Sequence, residues 1–399
     1  MPQRKQLFII FTTVFVDLIG FGIVIPLIGL YGKHYGASGA VLGALAAAYS
    51  LFQFIFAPVW GRLSDRFGRR PILLVTLAGQ AVSYLLFGLA GNLELLFISR
   101  CLAGLFAGNI GTAMAYIADI TTREDRARGM AVVGASFGIG FTLGPPLGGI
   151  AAAKLGLSAP GLIAAGLCAM NFLAAVVRLP ESLPKELRRK SAGQSLSPVD
   201  FGTLTAVWKH DELRLLVFTF AVASFCFSNM EQPMPLLIQR QLGIPVEEAG
   251  YRAGMVLMAV GLMSALTQGV FVRRYGQRFG ERRLMLIGLS GYVLPVALWP
   301  LVSSYPFYFL TGMMIGTANG LANPNMMGLI SRNTAAHEQG AVLGLTQGLG
   351  SFGRVLGPMF GLVAFETNYR IPFFTAAALW TVLALLNRRP GPPPETVRQ

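Results

Sequence analysis

Twelve apolar stretches of about 20 residues constrain this chain more than any other feature, because each is long enough to cross a bilayer as a helix. Hydrophobic residues make up 54% and charged residues 13% of the 399 positions, whereas a soluble domain carries about a quarter charged residues. We therefore predict an all-α membrane protein. The predicted spans are 7–30, 40–60, 71–90, 93–118, 128–153, 158–179, 212–240, 249–272, 284–302, 305–331, 339–363 and 370–387.

Two glycine-proline cassettes divide the chain into similar halves. Both have the pattern G-x-x-x-G-P-x-x-G, the first from Gly140 to Gly148 and the second from Gly353 to Gly361. They lie 213 positions apart, and the tripeptide Arg-Phe-Gly at 66–68 occurs again at 278–280. We therefore predict two pseudo-symmetric six-helix bundles, residues 1–179 and 212–399, joined by a cytoplasmic linker at 180–211.

The Lys and Arg residues fall mainly on one side of the predicted membrane. With both termini on that side, its loops and tails hold 25 of them and the other loops hold five. Cytoplasmic loops carry such an excess, so we predict a multi-pass protein of a bacterial inner membrane with cytoplasmic termini. The net charge of +14 then reflects topology and contact with anionic membrane lipids, and we predict no nucleic-acid binding.

The sequence has no cluster typical of catalysis or metal binding. The three cysteines and three histidines lack metal-ligand spacing, and there is no nucleophile–base pair or phosphate-binding glycine loop. We therefore predict no enzymatic activity, no metal and no cofactor, with a proton gradient as the energy source. The expected partners are a small-molecule substrate, protons and membrane lipids, and we expect the protein to act as a monomer.

Four ionisable residues lie clearly inside predicted spans, away from the span ends: Asp17, Arg100, Glu231 and Arg354. A charge at that depth costs at least about 2.5–3.5 kcal/mol, so each requires a role. A low dielectric favours the neutral form of a carboxylic acid and a nearby arginine favours the ionised form, so movement of one relative to the other changes proton affinity. The four residues therefore either couple proton movement to transport or form static salt bridges. Arg354 is also a candidate for binding an anionic part of the substrate.

Polar side chains elsewhere in the spans predict a central substrate cavity. Tyr49 and Gln53 are one helical turn apart in the second span, as Asn319 and Asn323 are in the tenth. The alternative for each of them is a hydrogen bond between helices. The candidate cavity residues are Tyr49, Gln53, Asn109, Asn229, Gln232, Gln268, Asn319, Asn323 and Gln347.

The loop after the second span reads Gly61-Arg62-Leu63-Ser64-Asp65-Arg66-Phe67-Gly68-Arg69-Arg70. It resembles the signature loop of the major facilitator superfamily, G-x-L-a-D-r-x-G-r-r/k. The resemblance implies a conformational latch made of Gly61, Asp65, Gly68, Arg69 and Asp119. In that latch Asp65 faces the positive end of the eleventh helix, and Arg69 pairs with Asp119 at the end of the fourth. The alternative is a solvated basic loop that only fixes topology.

The fifth span resembles the antiporter motif of exporters in this superfamily through Gly140, Gly144, Pro145 and Gly148. Glycines four apart also permit close helix approach, so tight packing without directional meaning is the alternative. The segments at 17–22 and 116–121 resemble the tetracycline-exporter branch of the drug:proton antiporters. Ser83 departs from that branch, which usually carries an acid there, so tetracycline is not implied as the substrate.

This resemblance implies proton-coupled export of small amphipathic compounds, of the multidrug or tetracycline type, by alternating access. A sugar, lysolipid or metabolite carrier of the same fold is an alternative. A membrane sensor or receptor that transports nothing is a second alternative from another class. Proton-driven uptake into proteoliposomes separates a carrier from a sensor.

Overall fold

The computed structural model describes residues 2–121, 126–184, 207–208, 210–334 and 339–388. Within these ranges the regular structure is helical, as the apolar stretches predict. The helices before the linker are Pro2–Val24, Ile25–Leu27 (3-10), Ile28–His34, Gly39–Phe67, Arg69–Gly88, Leu93–Leu105, Asn109–Ile120, Arg126–Leu155 and Ala159–Arg178. The helices after it are Asp211–Glu231, Met234–Leu242, Val246–Leu266, Thr267–Val272 (π), Arg273–Phe279, Glu281–Gly291, Val293–Leu298, Trp299–Leu301 (3-10), Tyr305–Arg332, Gln339–Thr367 and Ile371–Leu386.

These helices correspond to the twelve predicted spans, which we number in chain order. In the described residues, eight of them reach the length and hydropathy of a membrane-crossing helix. The twelfth is apolar but 16 residues long, and the fourth is broken into two shorter helices. The predicted linker at 180–211 lies mostly outside the described residues, which include only 180–184, 207–208 and 210–211 of it.

The fourth span was expected to be continuous over 93–118 and is not. Its first helix ends at Leu105 and its second begins at Asn109. Gly108 lies in the break, where an added Cβ would approach the Cβ of Trp60 to 2.5 Å. The break therefore lets the backbone of the fourth span pack directly against a large side chain of the second.

The two halves repeat the same helix pairing. In the first half, spans 1 and 5, 1 and 6, 2 and 4, and 3 and 6 pack together. In the second half, spans 7 and 11, 7 and 12, 8 and 10, and 9 and 12 pack together. The predicted architecture of two pseudo-symmetric bundles is therefore confirmed.

The bundles meet through spans 2 and 11 and through spans 5 and 8. We name the side of the molecule that carries Phe67 and Leu179 the linker side. On the side opposite to it, a Cβ added at Gly39 would lie 2.6 Å from the Leu362 carbonyl oxygen. There, too, a Cβ added at Gly149 would lie 2.6 Å from the Cα of Tyr251. Contacts this short leave no room for a side chain, so the bundles are closed against each other on the opposite side.

Spans 2 and 11 separate towards the linker side. Neither Gly61 nor Gly344 would bring an added Cβ within 4 Å of a neighbouring atom. Along the eleventh span, Gly361 is buried, Arg354 is half-buried and Gln347 is exposed. Spans 2 and 11 therefore approach each other less closely at these glycines than they do on the opposite side.

A carboxylate of the eleventh span caps the second span on the opposite side. Glu366 Oε2 accepts a hydrogen bond of 2.6 Å from the backbone N–H of Gly39, in the first turn of Gly39–Phe67. A helix N-terminus carries partial positive charge and stabilises an anion placed there. This hydrogen bond joins the two bundles, so it must break when the opposite side opens.

We expect Glu366→Gln to shift the bundle equilibrium about two- to fivefold towards opening of the opposite side, because the amide has no charge to offer the helix N-terminus. Spin labels at positions 36 and 368 would report the change as a larger population of long distances. Glu94→Gln is the control, since Glu94 is an exposed acid in the first turn of its own span. Identical distance distributions in wild type and Glu366→Gln would contradict this role.

Candidate functional site

The four ionisable residues inside the spans differ in burial. Asp17 is 5% exposed and Arg100 is 1% exposed, whereas Glu231 and Arg354 are half-buried. Among the described residues, no ion pair joins any two of these four side chains. The alternative of static salt bridges is therefore not seen as a direct ion pair in this part of the chain.

Tyr49 of the second span lies between the charged residues of the two bundles. The guanidinium carbon of Arg100 lies 4.9 Å from the centre of the Tyr49 ring, in a cation–π contact. Gln53 Nε2 donates to the Tyr49 hydroxyl at 3.4 Å. The hydroxyl is also within electrostatic range of Asp17, Arg100 and Arg354. Tyr49 therefore connects the charges of the first bundle with Arg354 of the second.

Asp17 faces Asn109 rather than Arg100. The polar neighbour of the Asp17 carboxylate is the Asn109 side chain. Asn109 lies nine positions after Arg100, which would put the two on opposite faces of a continuous helix at about 100° per residue. The break after Leu105 ends that continuity. Arg100 contacts the Tyr49 ring, and Asn109 is the neighbour of the acid.

Glu231 and Arg354 form the corresponding region of the second bundle. Glu231 ends the helix Asp211–Glu231, and Pro233 follows, whose missing N–H prevents the helix from continuing regularly. Arg354 Nη2 donates to Ser351 Oγ at 2.7 Å, one turn earlier in the same helix. The Glu231 and Arg354 charges lie within electrostatic range of each other. Both side chains are half-buried.

The other predicted cavity residues divide into two groups. Gln347, Asn323 and Gln268 are exposed, while Gln232 and Asn319 are half-buried. Gln268 Nε2 and Asn319 Nδ2 both donate to Ser264 Oγ, at 3.0 and 3.3 Å, which joins the eighth and tenth spans. Gln268 and Asn319 therefore have the hydrogen bonds within or between helices that were the alternative to a substrate contact.

Asn229 was predicted to line the cavity, and its position favours packing instead. Its side chain is fully buried, and its Nδ2 donates to the Pro372 carbonyl oxygen at 2.8 Å. It lies beside Gly361, where an added Cβ would come within 2.7 Å of Asn229 Oδ1. Asn229 thus ties the seventh span to the eleventh and twelfth.

The glycines of the antiporter-like motif hold the first and fifth spans together. A Cβ added at Gly140 would lie 2.7 Å from the Leu18 Cβ, and one at Gly144 would lie 2.6 Å from the Gly22 Cα. Gly148 packs in the same way against the backbone of Ile23. Pro145 lies inside the helix and places its carbonyl group against the eighth span.

The signature loop forms an ion-pair network on the linker side. Gly68 has φ of 106°, a backbone angle that favours glycine, and it separates the second span from the third. Arg69 Nη1 lies 2.5 Å from Asp65 Oδ1, and Arg69 Nε lies 3.1 Å from Asp119 Oδ2. The Arg69–Asp119 pair implied by the resemblance is therefore present. The described partner of Asp65 belongs to its own bundle.

Glu181 belongs to the same network and was not identified from the sequence. Its two carboxylate oxygens accept the backbone N–H groups of Arg69 and Arg70, at 2.9 and 3.3 Å. It thereby caps the N-terminus of the third span from the end of the sixth. Ser182 Oγ donates to Asp119 Oδ2 at 3.0 Å. The first residues of the predicted linker are therefore fixed to the loop.

The second bundle has a charge-reversed copy of this arrangement. Gly280, with φ of 76°, occupies the position of Gly68 in the repeated Arg-Phe-Gly sequence. The residue after it is Glu281, which pairs with Arg332 at the end of the tenth span at 3.0 Å. The acid and the base of the Arg69–Asp119 pair have thus exchanged places.

We expect Asp65→Asn to lower transport about three- to tenfold while leaving the protein folded. The pair Arg69–Asp119 and the cap from Glu181 remain in the variant, so the loop keeps its main contacts. The loss of one negative charge among four arginines should instead change the balance between conformations. Transport rate and unfolding temperature measured together test this expectation.

Arg66→Gln is the matched control, since Arg66 is exposed and lies next to Asp65. Wild-type transport in a well-expressed Asp65→Asn protein would leave the loop with a topological role only.

The sequence profile of the Major Facilitator Superfamily matches residues 10–277 and 234–399. The chain is 31% identical over 405 residues to the tetracycline resistance protein, class C, of Escherichia coli, with 98% of each sequence covered. It is 28% identical to multidrug resistance protein 2 of Bacillus subtilis (strain 168), with 95% of this chain and 94% of that relative covered.

Solved structures agree with the sequence matches. The human organic anion transporter MFSD10 (TETRAN) is similar with a TM-score of 0.70 and 25% identity, covering 97% of this chain and 100% of that one. The nucleoside transporter NupG has a TM-score of 0.74 at 14% identity, a likeness of fold alone. With its helices, repeated bundles and central charged residues, the chain is a multi-pass integral membrane transporter and not an enzyme, and it belongs to the major facilitator superfamily.

Proposed function

We propose that this transporter exports small amphipathic compounds across a bacterial inner membrane in exchange for protons. The observation that carries the proposal is Asp17, which is 5% exposed within a membrane span and forms no ion pair in the described residues. An ionised carboxylate buried without a counter-cation is costly, and such a group is neutralised instead. A group that must gain and lose a proton during transport fits this position.

The direction of transport rests on three supports. The fifth span carries the antiporter-like motif, two of the relatives are named for tetracycline or multidrug resistance, and basic residues concentrate on the linker side. If that side is cytoplasmic, spans 2 and 11 separate towards the cytoplasm. This is the conformation in which an exporter takes up its substrate.

A second candidate substrate class is organic anions. Arg354 is half-buried beside the space between the bundles, and Ser351 is its hydrogen-bond partner within the described residues. An arginine so placed can bind a carboxylate or sulfonate in two-pronged geometry. The relative MFSD10 is described as an organic anion transporter, which agrees with this alternative.

Reconstitution into proteoliposomes tests the proposal. An acidic lumen should drive accumulation of a fluorescent substrate, and equal pH on both sides should permit only equilibration. A cationic amphipathic dye and a fluorescent organic anion, assayed in parallel, decide between the two substrate classes. Binding of a dye without net flux would favour a sensor, and accumulation that ignores the pH gradient would contradict proton exchange.

A further inference from the structure

Two buried oxygens, on neighbouring side chains, have no hydrogen-bond partner in the described part of the chain. They are Asp17 Oδ1 and Asn109 Oδ1, on side chains that are 5% and 4% exposed. Roughly nine in ten buried polar groups find a partner, and an exception in a native structure calls for an explanation such as a catalytic role or a bound ion. Both atoms are acceptors, so neither can satisfy the other without a hydrogen between them.

We propose that Asn109 is the positioning residue for the protonated form of Asp17. The Asp17 O–H donates to Asn109 Oδ1, while the Asn109 Nδ2–H donates to the other carboxyl oxygen. One proton, taken from the aqueous phase and returned to it after transport, thereby satisfies both acceptors. This inference rests on the proposed proton exchange and assigns to it a second residue.

The amide serves both protonation states of the acid. It donates one hydrogen bond to the ionised carboxylate, and with the neutral acid it forms a reciprocal pair of hydrogen bonds. A carboxylic acid provides one O–H donor and an acceptor, and a side-chain amide provides the complementary acceptor and donor. The pair thus holds Asp17 in one orientation while its charge changes.

The surroundings of Asp17 favour a proton over a resident counter-charge. The titratable groups within electrostatic range are Tyr49 of the second span, Tyr84 of the third and Cys168 of the sixth. Leu18 follows Asp17 in the first span and packs against Gly140 of the fifth span. Gly140 has no titratable side chain. The nearby arginine, Arg100, is directed at the Tyr49 ring.

Infrared difference spectroscopy of the reconstituted protein at acidic and alkaline pH tests the proposal. The carboxylic C=O band that Asp17→Asn removes belongs to Asp17. In Asn109→Leu, which keeps a similar volume without polar atoms, that band should move to the higher frequency of an unbonded acid. The midpoint of its titration should shift by about one pH unit or more, since hydrogen bonding to either form changes proton affinity.

Asn171→Leu is the matched control. Asn171 is 5% exposed and donates to the Thr13 carbonyl oxygen at 2.8 Å, so it binds the same first span away from Asp17. Its substitution should leave the Asp17 band in place. If Asn109→Leu does not fold, wild type with isotope-labelled asparagine gives the same test, because the labelled amide band must then change between the acidic and alkaline spectra.

The outcomes separate this inference from the proposed function. An unchanged Asp17 band and midpoint in Asn109→Leu overturns the pairing but leaves proton exchange intact. A band that responds to sodium ions instead of pH would assign the two oxygens to a metal cation and overturn the pairing as well. Proton-driven accumulation that persists in Asp17→Asn would remove Asp17, and with it this pairing, from the proton exchange, whereas accumulation that ignores the pH gradient would overturn the proposed function itself.

Discussion

Asp17→Asn should reduce proton-driven accumulation to simple equilibration. One pH unit across the membrane is worth about 1.4 kcal/mol per proton, which supports about a tenfold substrate ratio at one proton per substrate. Asparagine keeps the size of the side chain but cannot carry a proton, so the variant has no means of using the gradient. In proteoliposomes with a lumen one pH unit more acidic, we expect a ratio of about ten for wild type and about one for the variant.

Folding should survive this substitution, because a neutral amide is easier to bury than an acid that ionises. The unfolding temperature measured beside transport checks this point. Asp211→Asn is the control: that carboxylate is 89% exposed and pairs with Arg214 at the start of the seventh span. Glu231→Gln is the comparison within the membrane. If Glu231→Gln loses accumulation and Asp17→Asn retains it, the residue that carries the proton is Glu231 of the second bundle.

The large features of the fold follow from local sequence patterns. Apolar length predicted each span, and the two glycine-proline cassettes predicted a duplicated architecture, because four-residue glycine spacing marks a helix face that another helix approaches closely. Gly144 packs against the first span, and Gly357 packs against the seventh, where an added Cβ would lie 2.8 Å from the Phe225 carbonyl oxygen. In both halves, a glycine without a side chain thus permits the same close approach between two helices.

The partners within the site depend on contacts that no local pattern encodes. Glu181 and Glu366 cap helices whose first residues lie 112 and 327 positions away in the chain. The position of Asn109 depends on the break in the fourth span. That span contains no proline from which the break could be predicted. The four ionisable residues were identifiable because charges inside apolar stretches are rare. Their neighbours were not, since these depend on helix rotation and packing.

Gly144→Leu should prevent correct assembly of the first bundle. The backbone of the fifth span approaches Gly22 so closely that a single added Cβ would lie 2.6 Å from its Cα. A leucine therefore cannot be accommodated by a rotamer change, and the two helices have to separate. Overpacking a core commonly costs about 1–3 kcal/mol and occasionally more, and a backbone-to-backbone contact belongs at the upper end of that range or beyond it.

Gly166→Leu is the matched control for this substitution. Gly166 is exposed in the middle of the sixth span, and an added Cβ there meets no atom within 4 Å. Both variants place the same side chain on a membrane helix, so hydropathy and helix propensity change alike. We expect Gly166→Leu to purify as wild type does, and Gly144→Leu to give little monodisperse protein with a lowered unfolding temperature. If the two variants behave alike, close approach of the first and fifth spans is not what the glycine at position 144 provides, and the antiporter-like motif needs another explanation.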